Sequence, residues 1–303
     1  MALIREVSRS KIKLPYRTYY YGRINTLPPE LIGKRVVILV YEEFEEKSKD
    51  ILRLRLIKQF CEYVLNSKNC SKMFNIVSKT WNPVTGCLHY CTYCWARKLA
   101  LTKLRNHERY KKGFIPRLNE KEFKTKFDEG LVFVTDMGDL FGDFIPSDWI
   151  IKVINYIRKF PKTLFLFLTK NPERYFEFID IMPPNAILGA TIETNRDNIY
   201  LEHYISRAPL PSRRYEAMKK LNWDKKFISI EPILDFDLEI FVKWIKEINP
   251  IIVYVGYDNY NNKLLEPPLK KTLKLIETLS DYTLTIKKTI RPAWYEGLNK
   301  YVN

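Results

Sequence analysis

No cysteine follows position 94, and only Cys61 and Cys70 lie upstream of the cluster Cys87, Cys91 and Cys94. That scarcity excludes a disulfide framework, which needs cysteines in pairs along the chain and an oxidising compartment. It also leaves a structural zinc site short of its four closed ligands, and a ferredoxin-type cluster short of its fourth cysteine. Low-complexity tracts, internal repeats and apolar runs long enough to cross a bilayer are absent too. The opening residues, MALIREVSRSKIKLPYR, lack the apolar stretch of a signal peptide. A cytoplasmic protein with no membrane partner is therefore expected.

Acidic residues are in deficit as well: 35 Asp and Glu stand against 51 Lys and Arg, a formal net charge of +16. A thermophile habit raises Glu together with Lys and leaves charge near balance. The surplus instead points to a polyanionic partner, most simply RNA or DNA. Residues 1–35 hold eight basic side chains against Glu6 and Glu30, with Tyr16, Tyr19, Tyr20 and Tyr21 among them. This reads either as an arm that grips phosphates and stacks on bases, or as an edge strand or docking tail. Residues 95–127 carry eleven Arg or Lys against three Glu, so they are either a phosphate-holding rim or a solvated helix face.

What is present is a regular alternation. RVVILVY reads as a strand, and Ile51, Leu54, Leu56, Ile57, Phe60 and Val64 predict a helix, within a small α+β extension over residues 1–72. From residue 73 to 303, seven short apolar runs recur: FNIVSKT, LVFVTDM, TLFLFLTK, AILGATIET, KFISIEP, IIVYVGY and TLTIKKT. Helix-length segments at 95–106, 147–159, 172–180, 197–205, 212–221, 237–247 and 266–279 separate them. Such an order predicts right-handed βαβ units with a parallel sheet, an α/β partial (β/α)6 barrel. In barrels of this kind chemistry sits at the C-terminal strand ends. Five runs do end in polar groups, around Asp136 and Asp139, Thr169 to Asn171, Glu193, Glu231, and Tyr257 to Asn259.

The cysteines follow the first run at once, in the spacing C-x3-C-x2-C with Tyr93 before the last. In this setting the motif resembles that of the radical S-adenosylmethionine (SAM) enzymes. The resemblance implies that Cys87, Cys91 and Cys94 hold three irons of a [4Fe–4S] cluster whose fourth iron binds SAM. It further implies reductive cleavage of SAM, a 5′-deoxyadenosyl radical that abstracts hydrogen from a substrate, and an electron donor such as ferredoxin or flavodoxin.

By the same resemblance Tyr93 meets adenine, Gly138 admits close backbone approach, and Asp139 receives the methionine ammonium. Thr191, Glu193 and Asn195 resemble the group that binds ribose hydroxyls or the SAM carboxylate. Glu231 is either a further cofactor contact or a strand-end carboxylate paired with a lysine. TWNPVTGC, VTDMGDLFGD, ILGATIETN and FISIEPIL are similar to a phage-associated radical SAM family of undefined function. APLPSRRYEAMKKL resembles, less closely, the spore photoproduct lyases. Those lyases return a hydrogen atom through a cysteine downstream of the cluster, which is missing here, so Tyr254 and Tyr257 are the catalytic candidates for a relay. The expected reaction is nucleic acid modification or repair. The alternatives are a small phosphorylated metabolite as substrate, or a basic nucleic-acid-binding protein with a structural metal.

Overall fold

The computed structural model describes residues 10–14, 17–21, 74 and 76–296. The chain divides into two compact units, Met1–Leu52 and Arg53–Asn303. In the first unit β1 (Ser10–Leu14) and β2 (Arg17–Tyr21) pair antiparallel, Ser10 with Tyr21 and Leu14 with Arg17. The strand expected at RVVILVY and the helix over 51–64 lie outside the described residues.

The second unit opens with β3 (Lys79–Trp81), then a two-residue pair, β4 (Val84–Thr85) with β5 (Arg117–Leu118). The sheet continues through β6 (Gly130–Val134), β7 (Thr163–Thr169), β8 (Ala186–Thr191), β9 (Lys226–Ile230), β10 (Ile252–Val255) and β11 (Leu284–Lys287). Seven strands lie parallel in the order β11-β10-β9-β8-β7-β6-β3. Sheet order therefore equals chain order, every crossover passes over one face, and the sheet curls into a half-barrel. The expected α/β partial barrel is the observed fold.

Helices α1 (Trp95–Leu101), α2 (Ser147–Ile157), α3 (Asp197–Glu202), α4 (Pro211–Lys220), α5 (Leu238–Ile248) and α6 (Leu269–Ser280) form the crossovers. Alternate strand residues serve different cores, as a period of two demands. Ala186, Leu188 and Ala190 of β8 join Ile150, Ile154 and Phe241 beneath the helices. Ile187 joins Leu131, Phe133, Leu166 and Phe227 in the lumen. Burial on both faces explains why the strands read as unbroken apolar runs.

Phe74, Ile76 and Val77 lie before the first strand and pack into the lumen core. The Phe74 ring meets Phe133, Phe227 and Tyr254 edge-on, with centroids 5.4, 5.4 and 4.8 Å away. Such a ring contributes about 2–3 kcal/mol by burial.

Two expected helices differ. The segment 172–180 is wound as tighter 3-10 turns, Pro172–Glu177 and Ile179–Ile181. Adjacent side chains Arg174 and Tyr175 are both pinned inward there, by bonds to the carbonyls of Gly142 (2.6 Å) and Gly189 (2.9 Å). The helix expected over 95–106 stops at Leu101. Thr102 Oγ1 donates back to the Lys98 carbonyl at 2.6 Å, a bond that competes with helix continuation.

Candidate active site at the open end of the barrel

Between β4 and α1 the chain makes the cysteine loop, and two glycines set its path. Gly86 has φ +90°, and a Cβ there would stand 2.0 Å from the Ile115 carbonyl oxygen. Its N–H donates to the Met137 carbonyl at 2.9 Å. A Cβ on Gly138 would in turn lie 2.8 Å from the Gly86 oxygen. Close approach of the loop to the end of β6 thus requires both. Cys94 caps α1, its Sγ accepting from the Arg97 N–H at 3.3 Å, while Cys87 Sγ accepts from the His89 N–H at 3.5 Å.

A second loop, 203–208, clasps the first. Ser206 Oγ lies 3.1 Å from Cys91 Sγ and donates to the His89 carbonyl, also at 3.1 Å. The backbone adds Thr92 N–H to Ile205 O (3.0 Å) and Arg207 N–H to His89 O (2.7 Å). All three cysteines line one open cavity of about 190 Å³ at the C-terminal strand ends, with Tyr93, Gly138, Asp139, Thr191 and Glu231 also in its wall. Burial pushes the Cys87 thiol well above its usual range, and the Asp139 carboxylate and neighbouring thiols add to this. Burial raises Cys94 too, against the pull of the Arg97 N–H.

Asp139 is saturated. Its Oδ1 accepts from Phe141 N–H (3.1 Å) and Thr169 Oγ1 (2.6 Å), and its Oδ2 from His89 Nε2 (3.0 Å) and Lys170 N–H (2.8 Å). Burial alone would raise its pKa, but these bonds, that from His89 above all, hold it below the ordinary value. A carboxylate with four donors has no acceptor position left for an ammonium group. The geometry makes it a clamp between the cysteine loop and β7. Asp136, in the same wall, takes one strong bond from Asn82 Nδ2 at 2.5 Å, and burial raises its pKa.

Glu193 is buried beside the cavity, not in its lining. It receives Arg214 Nη1 at 2.7 Å, and also Lys170 Nζ and the Tyr93 hydroxyl. Burial opposes its charge, but the guanidinium and ammonium win and hold its pKa at about 2. Through Tyr93 this ion network fixes the last turn of the cysteine loop. Asn195 does not reach the cavity: its side chain pairs with Asp237, donating at 3.2 Å and accepting the Asp237 N–H at 2.8 Å at the start of α5. Tyr254 lies deeper in the lumen core, and Tyr257 lines the wall with its hydroxyl held by Pro267 O (3.0 Å) and Thr272 Oγ1 (2.7 Å).

Just past the end of β9, Glu231 pairs with Lys288 at 3.1 Å. Lys288, Arg214 and Ser206 lie outside the expected site residues. Alternation gives a signal for Lys288, because Leu284 and Ile286 lead inward to it, as Leu164, Leu166 and Leu168 lead to Lys170.

The sequence profile of a family described as "Protein of unknown function (DUF5131)" matches residues 72–254. The chain belongs to that family. No curated protein matches this DUF5131 chain. Among solved structures it is similar to a spore photoproduct lyase mutant with bound AdoMet and dinucleoside spore photoproduct, at 14% identity and a TM-score of 0.46. That match covers 67% of this chain and 61% of the lyase chain. Similarity to Streptococcus suis SuiB bound to precursor peptide SuiA is 12% identity with a TM-score of 0.42, over 85% of this chain and 58% of SuiB.

Proposed function

We propose that this chain is a radical SAM enzyme that modifies or repairs nucleic acid. The observation that carries the reading is the donor set. Three cysteines of one loop line a single cavity, without a cysteine after Cys94 to complete a fourth corner. A structural zinc site needs four closed ligands, whereas a [4Fe–4S] cluster takes each thiolate on a different iron and can leave one iron for SAM.

A cationic cluster would hold all three cysteines as thiolates, and Cys87, Cys91 and Cys94 would bind it. When bound, that cluster supplies the electron that cleaves SAM to methionine and a hydrogen-abstracting 5′-deoxyadenosyl radical. Tyr93 presents its ring to adenine, Gly138 lets the cysteine loop close against the β6 end, and Thr191 offers a hydroxyl. Asp136, which has spare acceptor capacity, takes the methionine ammonium while Asp139 holds His89 and the loop. Glu193, through Tyr93, keeps the adenine-side wall in place.

The substrate class follows from charge. Glu108, Glu120 and Glu122, the three acids of residues 95–127, are taken by Arg117, Lys152 and Arg109. Lys98, Lys103, Arg105, Lys111 and Lys112 remain exposed without an acidic partner among the described residues. Such a rim holds phosphates beside the cavity, and single-stranded or looped substrate spares the cost of exposing a base. An acidic one-electron donor such as ferredoxin or flavodoxin completes the set of partners.

Anaerobic reconstitution tests the reading. Expected is about four irons and four sulfides per chain, with an electron paramagnetic resonance signal that changes on adding SAM. Stoichiometric zinc with no bound sulfide contradicts it.

A further inference from the structure

Two strands that supply no proposed cofactor contact, β9 and β11, bring their own charged pair to the cavity. Glu231 follows β9 and Lys288 follows β11, and both line the same wall as the cysteines. Lys288 Nζ lies 3.1 Å from Glu231 Oε1 and 4.9 Å from the Phe74 ring centroid, so it is held from two sides. Gly256 on the intervening strand end makes the space, since a Cβ there would stand 2.8 Å from Oε1.

The other carboxylate oxygen, Glu231 Oε2, is buried and has no hydrogen-bond partner among the described residues. A buried acceptor left unpaired forfeits the hydrogen bonds it would make to water, and the cost grows when it is charged. Burial pushes the Glu231 pKa up, against the pull of Lys288 and then Ser229, as expected of an acceptor awaiting a donor.

We propose that Glu231 and Lys288 form a base-reading subsite that takes the adjacent N–H and carbonyl of a lactam nucleobase: uracil, thymine or guanine. An unpaired anionic acceptor beside a cationic donor is complementary to a ring edge that carries a donor beside an acceptor. A lactam N–H is a stronger donor than the exocyclic amine of adenine or cytosine, because its nitrogen is conjugated to a carbonyl. The floor under this pair is apolar, with Phe74, Phe133 and Leu168, as a planar ring requires. This subsite rests on the nucleic-acid reading above and narrows it to one kind of base.

The test is fluorescence anisotropy on the anaerobically reconstituted protein with SAM, using single-stranded 12-mers of uridine and of N3-methyluridine. The methyl group removes only the N–H. Expected is binding of the uridine oligomer about tenfold or more tighter than its methylated twin, and loss of that preference in Glu231→Ala and Lys288→Met. Equal binding of the two oligomers by the wild-type protein overturns the proposal. So does a preference that survives in folded Glu231→Ala, or tighter binding of an uncharged peptide than of either oligomer. Because the methylated probe alters the ligand, the first comparison holds even where a variant fails to fold. Iron, sulfide and 5′-deoxyadenosine measured on the same wild-type sample report separately on the radical chemistry. A base preference without cluster chemistry would fell that reading and leave the subsite standing.

Discussion

Arg214 Nη1 lies 2.7 Å from a Glu193 oxygen, and both side chains are fully excluded from solvent. Arg214 also donates to the carbonyls of Thr191 (2.7 Å) and Pro209 (2.7 Å), so one guanidinium ties α4 to the end of β8. Since Glu193 holds Tyr93 and Lys170, the pair links the helical layer to the cysteine loop. Removing one partner of a buried pair leaves an uncompensated charge, at a cost of about 3–5 kcal/mol. Arg214→Met is expected to lose that much in denaturant unfolding. The double variant with Glu193→Gln is expected to lose less than the sum of the singles, which a double-mutant cycle measures.

The same network sets an acid limit. Glu193 is held at about 2 against an ordinary 4.5, chiefly by Arg214 and Lys170 overcoming burial. A depressed carboxylate stabilises the fold fully above its unfolded value, and that contribution is lost as pH falls through the folded one. Stability is therefore expected to drop between pH 4.5 and about 2, with a shallower slope in Glu193→Gln. Parallel slopes in the two proteins would contradict the assignment.

Gly86 and Gly113 share φ +90° but differ in surroundings. Gly113→Ala meets nothing within 4 Å and should cost only the left-handed backbone strain, about 1–2 kcal/mol. Gly86→Ala drives a methyl into the Ile115 carbonyl and displaces the cysteine loop. Its iron content after reconstitution is expected to fall by about half or more, while that of Gly113→Ala stays at the wild-type level.

Asp136 and Asp139 are expected to part company. Asp139→Ala unmakes four hydrogen bonds and lowers both melting temperature and iron content. Asp136→Asn keeps its Asn82 neighbour and instead weakens SAM binding about tenfold, since it loses a charge-assisted bond. Calorimetric titration of SAM into each variant separates the two roles.

Much of the frame was legible because its signals are local. Six of the seven apolar runs are strands of the one sheet, while the apolar residues of the first lie just before β3, and the cysteine loop stands at the sheet's open end. What escaped depends on partners distant in the chain. Glu193 reads as one more polar strand end until Arg214, twenty-one positions on, meets it in the interior. Arg214 itself sits in the outwardly polar stretch PSRRYEAMKK, which announces no burial. Nothing local in Met137-Gly138-Asp139 announces that Asp139 takes four donors, because His89, Thr169 and Lys170 reach it from other segments. The clasp by Ser206 carries no motif, since any short polar loop of that reach would look alike.

The most direct test of the central claim is reductive cleavage of SAM by the reconstituted chain. With dithionite and SAM under anaerobic conditions, 5′-deoxyadenosine is expected to accumulate in the wild-type protein and to fall to background when Cys87, Cys91 and Cys94 are all replaced by alanine. Background levels from a wild-type sample that carries its full iron and sulfide would contradict the account.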